Sequence, residues 1–418
     1  MAHRNTPVPN AYQYFPLNEP EIGTVLDPNM HPQDVEKTPV LFRPITIRDV
    51  EFKNRIFVSP MCQYSSDNGH ATDWHLIHIG GFATRGVGAI CMEATSVLPE
   101  GRISPEDAGL WNDTQIEPLR RIINFTHAQG TKIGVQLAHA GRKASTHATW
   151  VQTKGGHGLS HIALEDEGGW PSRVTVQATH SKVVYGPSEI PFSAAYPNPK
   201  ELTEDGLLEI ENAFLSSIER CKKAGYDFIE LHGAHGYLLH SFLSPLSNNR
   251  GDKYGGQSLE NRMRFFLRLV TRCREAWAEK PLFVRISAVE WADGPEKDDQ
   301  GLWKQWGIEQ STVLVGKLKE IGVDLIDCST GGNWVQQKIP VRPGYQAKTL
   351  KKAYPDILVG AVGLITDPVA AESYLKNGQA DVIFLARELM RNPHWPLLAA
   401  QKLQVNVKPA NQYERAWF

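Results

Sequence analysis

The 418 residues carry 44 Lys and Arg against 46 Asp and Glu, a net charge of −2, and 41% of them are hydrophobic. That supplies one large core, and a near-neutral chain without a basic stripe excludes nucleic acid or an anionic membrane as the expected partner. Five scattered cysteines, Cys62, Cys91, Cys221, Cys273 and Cys328, form no CxxC pair, so neither a disulfide framework nor a zinc or iron–sulfur site is expected.

Residues 1–38 are rich in Pro, Asn and Glu and show little periodicity, which predicts an arm lying on the surface or partly disordered. They lack the apolar run of a signal peptide, and no stretch of the chain reaches membrane-spanning length. With cysteines that suit a reducing compartment, the expected location is the cytosol.

From residue 39 to 418 the pattern is that of one domain in which short apolar runs alternate with longer amphipathic stretches. The runs are Ile56–Ser59, Ala89–Glu93, Ile133–Leu137, Phe228–Leu231, Phe283–Ile286, Leu325–Asp327, Ile357–Gly360 and Val382–Leu385. Each is continuously apolar rather than alternating, as strands of a parallel sheet covered on both faces must be. Between them, Leu207–Ala224 repeats apolar residues every three or four positions and stops at Gly225. Ser258–Ala278 opens on a capping serine, and Thr366–Asn377 opens on Thr366-Asp367-Pro368. Eight strands with helical crossovers fit either an open doubly wound sheet or a (β/α)8 barrel. The barrel is favoured because no GxGxxG follows the first strand and polar residues cluster after several different strands. One segment, 143–184, holds Gly155-Gly156, Gly158 and Gly168-Gly169 without a period. An extended loop after the third strand is expected to cap the barrel mouth.

Barrel chemistry sits at the carboxyl ends of the strands. Those ends read Ser59-Pro60-Met61-Cys62, Glu93-Ala94-Thr95, Gln136 with His139, His232-Gly233-Ala234-His235, Arg285, Ser329-Thr330-Gly331-Gly332, Gly363 and Ala386-Arg387. A glycine and a fixed cation after strands seven and eight suit a phosphate. His232 and His235 could be core residues, zinc ligands or donors to a substrate oxygen; no HExxH or third ligand accompanies them. As neutral donors they would stabilise a developing enolate, and Tyr237 could then supply a proton. Cys62 reads either as a small buried hydrophobe or as a mouth residue. Arg285, a cation where strands should be apolar, requires an anionic partner, and a reduced flavin is one.

The ordered strings resemble the old yellow enzyme family, and more narrowly its thermophilic-like branch. They are Ser59-Pro60-Met61-Cys62-Gln63-Tyr64-Ser65-Ser66, Thr72-Asp73-Trp74-His75, the run Gln136 to Lys143, His232 to Leu238, Ser244 to Arg250, Asp252 to Gly256, Arg387-Glu388-Leu389 and Gln412 to Trp417. The resemblance implies an FMN-dependent ene-reductase in which NADPH, or NADH, reduces FMN and hydride passes to Cβ of an activated alkene. It implies that Ser59, Pro60, Met61, Cys62 and Ala94 line the flavin ring, that Gln136 and Arg285 hold its pyrimidine edge, and that Gly363, Ala386 and Arg387 hold its phosphate. His232 and His235 would bind the substrate's electron-withdrawing group, Tyr237 would protonate Cα, and Tyr64 would touch the substrate. Arg415 would reach the neighbouring subunit of a homodimer or homotetramer. The longer arm and larger glycine-rich insertion are departures from the compact members. Other readings are a dienoyl-CoA-type reductase, which needs a cysteine cluster and a second nucleotide-binding domain, and a metal hydrolase or aldolase built on the two histidines.

Overall fold

The computed structural model describes residues 18–26, 37–151, 162–170, 183–340 and 344–417. All eight predicted runs are strands: β1 (Ile56–Val58), β2 (Ala89–Ser96), β3 (Lys132–Ala138), β4 (Phe228–Gly233), β5 (Leu282–Ser287), β6 (Leu325–Ser329), β7 (Leu358–Val362) and β8 (Val382–Leu385). They pair in sequence order, every pair parallel, and β8 closes on β1 to complete a barrel. The fold is a (β/α)8 barrel, the closed one of the two sheets the apolar runs allow. In β2 the pairing with β3 slips between Met92 and Ala94, a bulge at Glu93 next to the mouth.

The helices that coat the barrel start where their caps dictate. Helix α1 spans Asp73–Ala83 and α2 Ile116–Ala128. Helix α3 (Glu204–Ala224) begins earlier than its apolar period because Thr203 Oγ1 accepts a hydrogen bond from Gly206 N. A short helix, α4 (Leu238–Leu243), follows β4. Ser258 caps α5 (Leu259–Ala276) by accepting from Asn261 N. That helix stops before the predicted end, where the buried Trp277 donates its indole N–H to Pro281 O. After α6 (Ile308–Ile321) and α7 (Tyr345–Ala353), α8 (Pro368–Lys376) is capped by Asp367, which accepts from Ala370 N, with Pro368 in the first turn.

The amino-terminal end of the barrel is closed by a hairpin, Ile45–Ile47 paired with Val50–Phe52. Its apolar face, which includes Phe52, meets four phenyl rings of the barrel strands, Phe57, Phe228, Phe283 and Phe384, in one buried cluster. Phe228 and Phe283 stack at 4.6 Å between centroids, and Phe57 meets Phe384 edge-on at 5.5 Å. Lys53, just past the hairpin, donates to Gln129 O and Thr131 Oγ1.

Part of the predicted arm belongs to the body. Gly23 N donates to Lys408 O, Leu26 N to Asn406 O, and the Asn18 side chain accepts from Asn411 N. Residues 1–17 and 27–36 of the arm, and 152–161 and 171–182 of the insertion, lie outside the described residues. Among the described residues no helix is long and apolar enough to cross a membrane.

Candidate active site

The chain leaving β1 runs along the mouth from Ser59 to Ser66, with Tyr64 at a positive φ of 47°. Cys62, Tyr64 and Tyr237 pack against a small buried cluster of Ile103, Ala140, Ala144, Trp170 and Val184. Trp170 and Val184 come from the predicted insertion, and Trp150 meets Tyr64 edge-on at 5.5 Å. The described parts of that insertion therefore lie against mouth residues. The Cys62 thiol is pushed up well above its ordinary range, first by burial and then by the charges of Asp107 and Glu93, so it stays protonated at neutral pH.

Past β4 the backbone makes a tight turn in which His235 (φ 59°) and Gly236 (φ 74°) are both left-handed. A Cβ on Gly236 would stand 2.4 Å from Gly332 O, so only glycine fits between the two loops. The turn gathers three side chains that six positions of sequence hold loosely together. The rings of His232 and His235 lie 5.2 Å apart, and those of His232 and Tyr237 lie 5.0 Å apart. His235 N donates to Ser287 Oγ, and its Nε2 is hydrogen-bonded to Ser329 Oγ at 2.8 Å. Lys143 Nζ donates to His235 O and to Gly332 O, both at 3.0 Å, and sits 5.1 Å from the centre of the Tyr237 ring.

This electrostatic setting fixes the protonation of all three. Burial, followed by the Arg285 charge, holds both imidazoles well below their ordinary pKa, so both are neutral. Burial, followed by Tyr64, pushes the Tyr237 phenol well above 10, so it keeps its proton. The cluster is two neutral imidazoles beside one neutral phenol.

Inside the barrel below them, Gln136 Nε2 donates to Glu230 Oε1 at 2.7 Å, and Arg285 Nε stands 3.2 Å from Asp327 Oδ2. The anionic partner that Arg285 demands is thus already supplied within the chain, by the neighbouring strand. Several buried polar atoms at this level have no hydrogen-bond partner, among them Ser59 Oγ, His232 Nδ1 and Arg285 Nε. Buried polar atoms left unpaired near a barrel mouth suit a polar ligand that completes them.

On the opposite side of the mouth a cavity of about 210 Å³ is lined by Gly363, Leu364, Thr366, Ala386, Arg387 and Arg391, among others. Gly363 has a φ of 104° and open space where a side chain would stand, so its backbone and Arg387 border the cavity directly. The residues fit a phosphate group, and with the orphaned atoms above they fit a long cofactor anchored by its phosphate.

Some of the residues that build the mouth escape sequence reasoning. Glu290, fully buried, accepts from Ser244 Oγ at 2.8 Å, Trp306 N at 2.5 Å and Asn333 Nδ2 at 2.7 Å, and so ties the loops after β4, β5 and β6 together. Arg142 donates to Asn333 O and Oδ1 and adds the loop after β3. His75, in the Thr72-Asp73-Trp74-His75 string, accepts from Thr72 N at the head of α1 and lies 3.6 Å from Glu93. Arg415 stands apart: it is exposed on a 3-10 turn, Asn411–Ala416, whose neighbours Tyr413 and Trp417 contact Arg85 and His394. The structure of one chain does not bring it to the cluster. Among the described residues no group of three or more His, Cys, Asp or Glu is placed to hold a metal ion.

A closed parallel barrel with a cavity after β7 and β8 and unpaired buried polar atoms at its mouth has the architecture of a barrel enzyme. The profile of the NADH:flavin oxidoreductase / NADH oxidase family matches residues 40–406. An NADH:flavin oxidoreductase of Gibberella zeae is 42% identical over 418 residues, covering 98% of this chain and 95% of that protein. An NADPH dehydrogenase of a Geobacillus species is 43% identical over 383 residues, covering 90% and 98%. In fold, the chain is similar to morphinone reductase (TM-score 0.69, 23% identity, 90% and 92% covered) and to the old yellow enzyme of Trypanosoma cruzi (TM-score 0.69, 22% identity, 88% and 94% covered). The chain belongs to this flavin oxidoreductase family, that of the old yellow enzymes, with FMN as cofactor and NAD(P)H as co-substrate.

Proposed function

We propose that this oxidoreductase is an ene-reductase acting on small α,β-unsaturated carbonyl or nitro compounds. The observation that carries the reading is the cluster of neutral His232, neutral His235 and protonated Tyr237 at the barrel mouth. Ser59, Pro60, Met61, Cys62 and Ala94 would line the flavin ring, Gln136 and Arg285 would meet its pyrimidine edge, and Gly363, Ala386 and Arg387 would hold its phosphate. FMN, when bound and reduced by NADPH, supplies the hydride that reaches Cβ of the alkene. His232 and His235 donate hydrogen bonds to the carbonyl or nitro oxygen, and these strengthen as negative charge builds there. Tyr237 gives its phenolic proton to Cα and recovers one from solvent. The Cys62 thiol, neutral in this setting, modulates the flavin without reacting, and Tyr64 borders the substrate.

The exposed Arg415 and its flanking aromatic residues suit a contact with a second copy of the chain, which supports a homodimer or homotetramer with a shared mouth. Five unpaired cysteines support a reducing, cytosolic setting. Tyr237→Phe tests the reading. Alkene reduction should fall by roughly 10²–10⁴-fold, while flavin reduction by NADPH stays near the wild-type rate. Equal losses in both half-reactions would remove Tyr237 as the proton donor.

A further inference from the structure

Three adjacent strands each aim an ionisable side chain into the buried barrel interior: Glu230 from β4, Arg285 from β5 and Asp327 from β6. Glu230 and Asp327 are 0% exposed and Arg285 is 7% exposed. In the strand register Arg285 stands beside His232 on one side and Asp327 on the other. If both carboxyls were ionised, the trio would carry an uncompensated negative charge where charge is most costly. One of them must therefore hold a proton at neutral pH.

The geometry says which. Asp327 Oδ2 is the oxygen in contact with the guanidinium, at 3.2 Å. Glu230 Oε1 accepts from the neutral amide of Gln136, and its Oε2, like both Asp327 oxygens, has no hydrogen-bond partner, so what separates the two carboxyls is the ion pair Asp327 makes with Arg285. Burial raises both carboxyls above their ordinary range, the Asp327 charge raises Glu230 further, and Arg285 opposes both shifts. The remaining titratable groups facing the trio are neutral: Cys91 from β2 and Cys328 from β6 are thiols, and His232 and His235 are unprotonated.

We infer that Asp327 is a positioning residue for the flavin chemistry: by pairing with Arg285 it offsets part of the guanidinium charge offered to bound FMN and so limits how strongly the reduced cofactor is favoured, while Glu230 stores a proton that keeps a second negative charge out of the cluster. The inference rests on the reading above that places Arg285 beside the flavin. The cluster then acts as a fixed electrostatic setting of the reduction potential, in which only Arg285 meets the cofactor and the two carboxyls act through it.

The test is the midpoint potential of the FMN-loaded protein between pH 6 and 9, measured for wild type, Asp327→Asn and Glu230→Gln. Asp327→Asn removes the counter-charge and should favour reduced over oxidised FMN by about tenfold, equal to ~30 mV for a two-electron couple. Glu230→Gln imitates the protonated carboxyl, so its potential should match wild type at pH 7. At alkaline pH it should lack the extra downward bend that ionisation of Glu230 gives the wild type. An unchanged or lowered potential in Asp327→Asn overturns the inference. If that variant fails to retain FMN, Glu230→Gln decides alone: a potential raised at pH 7 means Glu230 was charged and overturns the assignment, and a matching potential supports it. Arg285→Gln separates the two layers. A potential unmoved by that change sinks the placement of Arg285 at the flavin, whereas a lowered potential with an inert Asp327→Asn sinks only the present inference.

Discussion

The two ends of this barrel solve opposite problems with the same eight strands. At the amino-terminal end a hairpin packs its apolar face onto phenyl rings from four of the strands. At the carboxyl end the strands deliver Gln136, Glu230, His232, Arg285 and Asp327 into the interior, several with polar atoms unpaired. The apolar end holds the strands in register, and that rigidity lets the other end keep charges and orphaned polar atoms that would unfold a softer scaffold. Stability and chemistry are separated along the barrel axis.

That separation should survive a direct attack. Phe228→Ala removes a ring from the plug and should destabilise the fold by about 3–5 kcal/mol in urea unfolding. The FMN affinity of the folded fraction should hold; a parallel loss of affinity would show that the ends are coupled. Arg387→Ala is the converse experiment. Removing a charged donor from the phosphate pocket should weaken FMN binding by roughly 10–100-fold, as about 1.5–3 kcal/mol of charged hydrogen bonding would. The thermal midpoint of the cofactor-free protein should hardly move.

A finer comparison sets Lys53 at the plug against Lys143 at the mouth. Each donates to neutral oxygens, and burial brings each ammonium down to about 7. Because the folded value lies below the unfolded one, the unfolded chain holds more protons between about pH 7 and 10. Stability therefore rises with pH across that window, and the full penalty is felt below it. Both side chains keep some solvent contact. Lys53→Met and Lys143→Met should each flatten the rise by on the order of 1 kcal/mol. Wild-type slopes in both variants, from urea midpoints at pH 7 and 9.5, would contradict that cost. The smallest expected effect is a null one. With both imidazoles neutral, affinity of Lys143→Met for a non-ionising enone should stay flat from pH 5.5 to 8, and a break near 6.5 in that variant, where the lysine no longer titrates, would mean that a histidine does.

Much of the barrel is legible in the sequence because a strand buried on both faces has to be a continuous apolar run. All eight runs form strands, although β7 begins at Leu358 and extends to Val362, past the predicted run. Helix starts were less legible from periodicity than from caps: α3 opens at Thr203 and Glu204, ahead of its first apolar residue. The mouth was legible where a polar residue interrupts an apolar strand, which is how Arg285 stands out. Glu230 in Phe228–Gly233 and Asp327 in Leu325–Ser329 interrupt their strands in the same way, and that signal was available. Glu290 and Asn333 were not legible, because their meaning lies in partners 43 and 46 residues distant that only the closed barrel brings within reach. The hairpin plug was hidden for a similar reason: three-residue strands carry too little pattern to announce themselves.

The Glu290 tie has a thermodynamic corollary. One carboxylate binds three loops that would otherwise each have to be ordered by an arriving ligand, and ordering flexible backbone costs roughly 1–2 kcal/mol per residue. Here that entropy is spent once, during folding, so these loops add little further ordering cost when a ligand arrives. Preorganisation of this kind lets a modest contact area around a small alkene yield useful affinity.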